Sequence, residues 1–263
     1  MSFTLDRKIS PSSAARILDD IELWRYEKEH PKRDTEYTAT GSVLHCLVLE
    51  PDNYEKNFFT PDILPINKNT GKEYGRDTKA FKSWLIDVEH LLDGRKLVMP
   101  EEYKLACDMR DALLSDNRIH DIIDIDNMQT ELKVEWIDEE TGQACIGYID
   151  LLSIGNLIDI KATSDTKYSA VRKQCHNLGY FLKMATYQDA VFNLYGYIPK
   201  PFIVAVRSSK PHSVAIYEID DETMKVGLQQ FRKAITKYRH CVNSGVWRNQ
   251  IDTETIGFYQ SYF

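Results

Sequence analysis

The stretch Leu157-Ile158-Asp159-Ile160-Lys161 constrains this chain more than any other. Its apolar residues read as a buried β-strand, and the period-2 rule puts Asp159 and Lys161 on one face of it. An acid and a lysine inside such a strand cost several kcal/mol unless they are paired or hold a metal ion. The preceding segment, Ala144 to Leu152, also reads as a strand and carries Asp150 near its end. Ser153 to Asn156 is short enough for a tight turn, so the two acids can converge. Spacing alone leaves two readings open: a structural ion pair between Asp159 and Lys161, or carboxylates gathered for chemistry.

The rest of the chain supplies the frame. Ser10-Pro11-Ser12-Ser13 followed by Ala14 to Leu18 is a capped helix start. Glu27 to Thr35 is charged, holds Pro31 and reads as a loop. Thr40 to Leu49 reads as a helix stopped by Pro51. Pro61 to Gly75 is the expected flexible stretch. Amphipathic helices follow at Thr78 to Leu92 and Glu101 to Leu114. Glu131 to Ile137 alternates, with Leu132, Val134 and Trp136 on one face and Glu131, Lys133 and Glu135 on the other. Leu157 to Ala162 is the third strand of a group. A helix over Gly179 to Tyr195, strands at Pro201 to Arg207 and Ser213 to Ile219, and a long helix from Asp221 to about Asn243 complete the order. This predicts one α/β domain over residues 1–263, mostly helical over 1–115, with the mixed sheet and C-terminal helix over 116–263.

Composition excludes several classes. The 263 residues are 43% hydrophobic and 28% charged, which suits a packed chain and not a disordered one. No apolar run is long enough to span a membrane, and Met1 to Ser10 has no signal-peptide core. A cytoplasmic location without membrane partners is expected. Cys46, Cys107, Cys145, Cys175 and Cys241 are odd in number and widely spaced, which argues for buried thiols and against zinc or disulfide frameworks.

The net charge of −7 looks unsuited to nucleic acid, but it is unevenly placed. Residues 115–165 hold 3 basic and 12 acidic side chains, whereas residues 166–263 hold 13 basic and 7 acidic. Carboxylates that hold hard Mg²⁺ would account for the acidic segment. The helix carrying Lys225, Arg232, Lys233, Lys237 and Arg239 is either a phosphate-contact stripe or a solvated face.

Four motifs together resemble a known family. Asp150 with Asp159-Ile160-Lys161-Ala162-Thr163 looks like the PD-(D/E)xK nuclease motif, and Gly147-Tyr148-Ile149-Asp150 resembles the G-x-x-D of RecB-like nucleases. Gly41-Ser42-Val43-Leu44-His45, followed by Leu49-Glu50-Pro51, resembles the helix of RecE-type exonucleases (exodeoxyribonuclease VIII-like). The Ser-rich opening at Ile9 to Ser13 is similar to that family's start. The resemblance spans about Ile9 to Tyr195. It implies a restriction-endonuclease-like core: a mixed central sheet flanked by helices, with N-terminal helical additions.

The resemblance also implies a site. His45, Asp150, Asp159 and the Ile160 carbonyl would hold Mg²⁺, two ions per site, with Mn²⁺ able to substitute. Lys161 would be the catalytic lysine that holds or helps deprotonate the attacking water. An acidic residue on the strand before Asp150 belongs to the pattern; Glu131 and Glu135 both fit, and Glu131 is favoured from its T-E-L-x-V-x-W context. A lone histidine on an apolar helix is ordinarily a packing residue, and only the motif makes His45 a ligand. The family's Q-x-x-x-Y helix corresponds to Lys183 through Tyr187, so lysine stands where glutamine is expected. Lys183, Tyr187 and Gln188, together with Arg172 and Lys173, are the candidate DNA contacts. The implied activity is 5′-to-3′ digestion of linear duplex DNA from its ends, leaving a strand for a single-strand annealing protein in phage or prophage recombination. The implied assembly is a ring-shaped homo-oligomer, a trimer or tetramer. Another nuclease of the same superfamily, or an inactive binding protein on the same fold, are the alternatives.

Overall fold

The computed structural model describes residues 3–4, 7–31, 40–124, 127–153 and 155–249. Helix α1 (Pro11–Asp19) starts at Ser10, whose hydroxyl accepts from the Ser13 amide. Asp20 caps α2 (Ile21–Glu29) in the same way. The Glu27–Thr35 segment is thus helical up to Glu29, contrary to the loop expected there. Ile21 and Trp24 bury one side of α2, and an Arg25–Glu29 ion pair spans its last turn. Residues 32–39 lie outside the described part.

Helix α3 (Thr40–Leu49) is followed by a 3₁₀ turn at Pro51–Asn53, a single turn α4 (Tyr54–Asn57) and a short strand β1 (Phe58–Phe59). Residues 60–78 hold no helix or strand, only an isolated bridge between Ile66 and Glu73. Then come α5 (Lys79–Leu92), β2 (Lys96–Leu97), which pairs parallel with β1, α6 (Pro100–Leu114) and α7 (Asn117–His120).

The central sheet is built from β3 (Gln129–Asp138), β4 (Gln143–Ser153), β5 (Asn156–Thr163), β6 (Lys200–Arg207) and β7 (Val214–Glu218), ordered β3-β4-β5-β6-β7. Only β5 and β6 run parallel. Their crossover carries α8 (Tyr168–Asn177), which the sequence pattern does not reveal, and α9 (Tyr180–Tyr195). Helix α10 (Asp221–Ser244) follows β7. One sheet face packs against α1, α2, α9 and α10, with Val134, Ile149, Leu157 and Ile203 among the buried contacts. The other packs against α3 and α6 through Ile158, Ile160, Val204 and Val206. The sheet is therefore mixed and sandwiched between helical layers, as expected.

Gly147 shows how tightly one layer sits. A Cβ there would lie 2.5 Å from Cε1 of Tyr187 on α9. Only glycine lets that ring rest on β4.

Candidate active site

The β4–β5 ladder stops at Leu151 and Ile158. One step further, in the same register, Asp150 and Asp159 stand opposite each other. Beyond them β5 leaves β4, and the vacated edge is taken by the N-terminal segment: the Ile9 amide donates to the Ala144 carbonyl, and the Ile146 amide donates to that of Ile9. The β3–β4 register likewise places Glu131 opposite Asp150, and this is the pair that its ladder skips. Glu131, Asp150 and Asp159 therefore form one row across three strands, at the point where the sheet opens.

Glu131 has φ +47°, a left-handed conformation that costs a non-glycine residue about 1–2 kcal/mol. It interrupts the pleat, and the Glu131 carboxylate reaches His45 on α3. Glu135, four residues on, pairs instead with Lys133 and Lys8 on the exposed face. The geometry thus places Glu131 at the site and leaves Glu135 outside it.

Through the opening, side chains from both sheet faces meet. His45 comes from the α3 side, with Nδ1 3.1 Å from Glu131 Oε1 and Nε2 2.7 Å from Asp150 Oδ2. Asp159 and Lys161 come from the α9 side. Lys161 Nζ lies 2.7 Å from Asp159 Oδ2, 3.5 Å from Asp150 Oδ2 and 3.3 Å from the Ile160 carbonyl. Asp150 is the bridge between the two groups.

The charges are strongly coupled. A neutral imidazole donates one hydrogen bond, yet both nitrogens of His45 face carboxylates. Burial pushes the imidazole down, but the hydrogen bonds to Asp150 and Glu131 outweigh it and raise it to about 9. Burial pushes the Asp150 carboxyl up, but His45 and Lys161 hold it well below the usual carboxylate range. Asp159, 5% exposed, is pushed up to about 6 by burial, with the Lys161 ammonium opposing. Burial disfavours the Lys161 ammonium, but Asp159 and Asp150 overcome it and keep the lysine protonated.

The donor set fits a hard divalent cation. One ligand atom each from His45, Glu131 and Asp150 lie within 4.8 Å of one another. Carboxylate oxygens with one imidazole suit Mg²⁺ or Mn²⁺. A cation there would take over the role that the His45 proton now plays between two carboxylates. The group opens into a cleft of about 540 Å³, whose walls include Ser42, Glu50, Phe58, Tyr180 and Lys183.

The other sequence candidates are dispersed. Lys183 reaches the cleft. Tyr187 is 7% exposed with its ring packed against Gly147, and it does not line the cleft. The Gln188 amide donates to the Pro199 carbonyl at 2.8 Å, away from the cleft. Arg172 and Lys173 are exposed on α8 and do not line it. Along α10, Arg232 binds Asp138 and Glu140, Lys237 binds the Ile17 carbonyl, and Arg239 binds that of Thr141. Neither a phosphate stripe nor a solvated face describes those three. Tyr180, which is not among the sequence candidates, lines the cleft. Its only signal was its place three residues before Lys183, on the same helical face.

Comparison with known proteins follows the same lines. A solved structure from Eubacterium rectale, described as "Putative exonuclease", superposes with a TM-score of 0.60 at 14% identity, covering 96% of this chain and 91% of that one. At that identity the likeness is one of fold. A phage related exonuclease from Haemophilus somnus reaches a TM-score of 0.36 at 12% identity, covering 80% of this chain and 96% of its own, too low a score to carry an argument. No curated protein matches this chain. No helix among the described residues is long and apolar enough to cross a membrane. The family described as "PDDEXK-like domain of unknown function (DUF3799)" matches residues 14–255, which is most of the chain and spans every residue of the cleft, and the chain belongs to it.

Proposed function

We propose that this protein is a metal-dependent DNA nuclease of the RecE-like exonuclease type, acting on the ends of linear duplex DNA. The observation that carries the reading is the meeting of His45, Glu131 and Asp150 beside the Asp159–Lys161 pair where β4 and β5 part. A chain that needed only a structural ion pair would have no use for a histidine from the opposite layer or a left-handed glutamate. The description of the Eubacterium rectale relative supports the exonuclease part.

The reaction is hydrolysis. A water oxygen forms a bond to phosphorus, the P–O ester bond breaks, and the products are a phosphate end and a free hydroxyl. His45, Glu131, Asp150 and Asp159, with the Ile160 carbonyl, would hold one or two Mg²⁺ ions. When bound, such ions supply charge stabilisation for attacking and leaving oxygens. Lys161, kept an ammonium by two carboxylates, donates hydrogen bonds to the attacking water and a phosphate oxygen and stabilises the charge that develops there. That favours the holding role for Lys161 over proton abstraction. Digestion from the 5′ end, a ring-shaped homo-oligomer and delivery of the remaining strand to an annealing protein belong to the same reading, and rest on the sequence resemblance.

The test is digestion of end-labelled linear duplex beside covalently closed circles, with Mg²⁺ and with chelator. The expected result is Mg²⁺-dependent loss of linear DNA, beginning at the ends, with circles intact. Cutting of circles would make the protein an endonuclease. Failure to cut either would contradict the nuclease reading.

A further inference from the structure

Tyr180 and Lys183 stand in the first turn of α9, and both line the cleft beside Lys161. Lys161 Nζ and Lys183 Nζ each lie 5.1 Å from the centroid of the Tyr180 ring. The ring therefore serves both ammonium groups, and its electron-rich face attracts each.

The two lysines differ in what else they touch. Lys161 is neutralised by Asp159 and Asp150. Lys183 makes no ion pair and no side-chain hydrogen bond among the described residues; its contact is Tyr180. It is half-buried, and burial lowers its affinity for the proton, with the more distant Asp159 and Asp150 carboxylates opposing. Three N–H donors on a partly desolvated cation are thus held in a cleft without a protein acceptor among the described residues. The cleft thus holds a second cation beside Lys161, and the ligand it suits is an anion that enters from solvent.

We propose that Lys183 grips a phosphate of the DNA strand in the cleft, and that Tyr180 is the shared platform that positions this lysine together with Lys161. The inference rests on the nuclease reading above. A lysine acts on phosphate as a point charge, so the interaction adds affinity without sequence preference.

The experiment measures binding of a fluorescent linear duplex to the full chain in metal-free buffer over a series of KCl concentrations. Each phosphate that a protein neutralises adds about 0.9 to the steepness of log affinity against log salt. K183Q and K183M are expected to bind with a slope shallower than wild type by about that one increment, about 0.9. K183R is expected to keep the wild-type slope. K183M retains the unbranched stem on Tyr180, so it separates the effect of charge from that of packing. Wild-type slope and affinity in both K183Q and K183M would overturn the inference while leaving the nuclease reading standing, provided the wild type digests linear DNA with Mg²⁺. A wild type that neither binds nor digests DNA would overturn that reading, and this inference with it.

Discussion

The β3–β4 hairpin gathers acids near both of its ends, and the two groups are wired differently. At the turn, Asp138 is fully buried; one oxygen accepts from Arg232 Nε, and the other accepts from the Thr141 amide and hydroxyl. Arg232 also reaches Glu140 and Asp189, so a single guanidinium ties the turn to α9 and α10. At the open end, Asp150 Oδ2 is shared by His45 and Lys161, and the backbone at Glu131 is strained. The first cluster is satisfied by a cation that never loses its charge and by fixed local donors. The second is satisfied by an imidazole that can give up its proton, beside a cleft. Coupled charges are common to both clusters; exchangeable partners facing a cleft distinguish the second.

Substitutions at the two ends should therefore fail in different ways. The largest expected effect is at the open end. Asp159→Asn or Lys161→Ala should reduce Mg²⁺-dependent DNA digestion by about 10³-fold or more, with the circular dichroism spectrum retained. Full activity in either variant would break the assignment. Arg232→Ala should do the reverse: thermal or urea unfolding should show a loss of about 3 kcal/mol, because Asp138 is left buried without its cation, while folded protein keeps its activity. Activity lost without loss of stability would erase the distinction between the clusters.

Smaller effects sharpen it. His45→Ala should weaken Mn²⁺ binding in calorimetry by at least about tenfold, whereas Glu135→Gln should leave it unchanged. Gly147→Ala should destabilise the protein by about 1–3 kcal/mol by pushing the Tyr187 ring off β4.

The pH dependence is subtler. In the metal-free protein His45 should titrate near 9, against about 6.5 in an unfolded chain. A raised folded value means that its stabilisation is fully present below about pH 6.5 and is lost as pH rises through about 9. Metal binding should therefore release a proton at neutral pH. An NMR titration giving an ordinary imidazole value would show that the two carboxylates do not hold His45 charged.

Much of this is legible in the sequence, for identifiable reasons. The strands around Asp150 and Asp159 announce themselves because each is a short apolar run and the turn between them is short. Thr40 to Leu49 is read correctly because apolar residues and Pro51 delimit it. Helix α2 is hidden because the charged run Glu27-Lys28-Glu29 and Pro31 mimic a loop, while its helical signals are only two buried residues and an Asp20 cap. Helix α8 is hidden because it buries only Val171 and Cys175. The left-handed backbone at Glu131 has no sequence signal, since glutamate does not favour it. Nor could spacing show that Tyr187 lies behind Gly147, or that Arg232 reaches back to Asp138. Those depend on tertiary packing between distant segments.

The most direct measurement is anomalous diffraction from crystals of the protein soaked in Mn²⁺. The expected result is a peak among the His45, Glu131 and Asp150 side chains and none at the Asp138–Arg232 cluster. A peak at the Asp138 cluster, or none beside His45 at saturating Mn²⁺, would contradict the assignment of the open end of the hairpin as the metal centre.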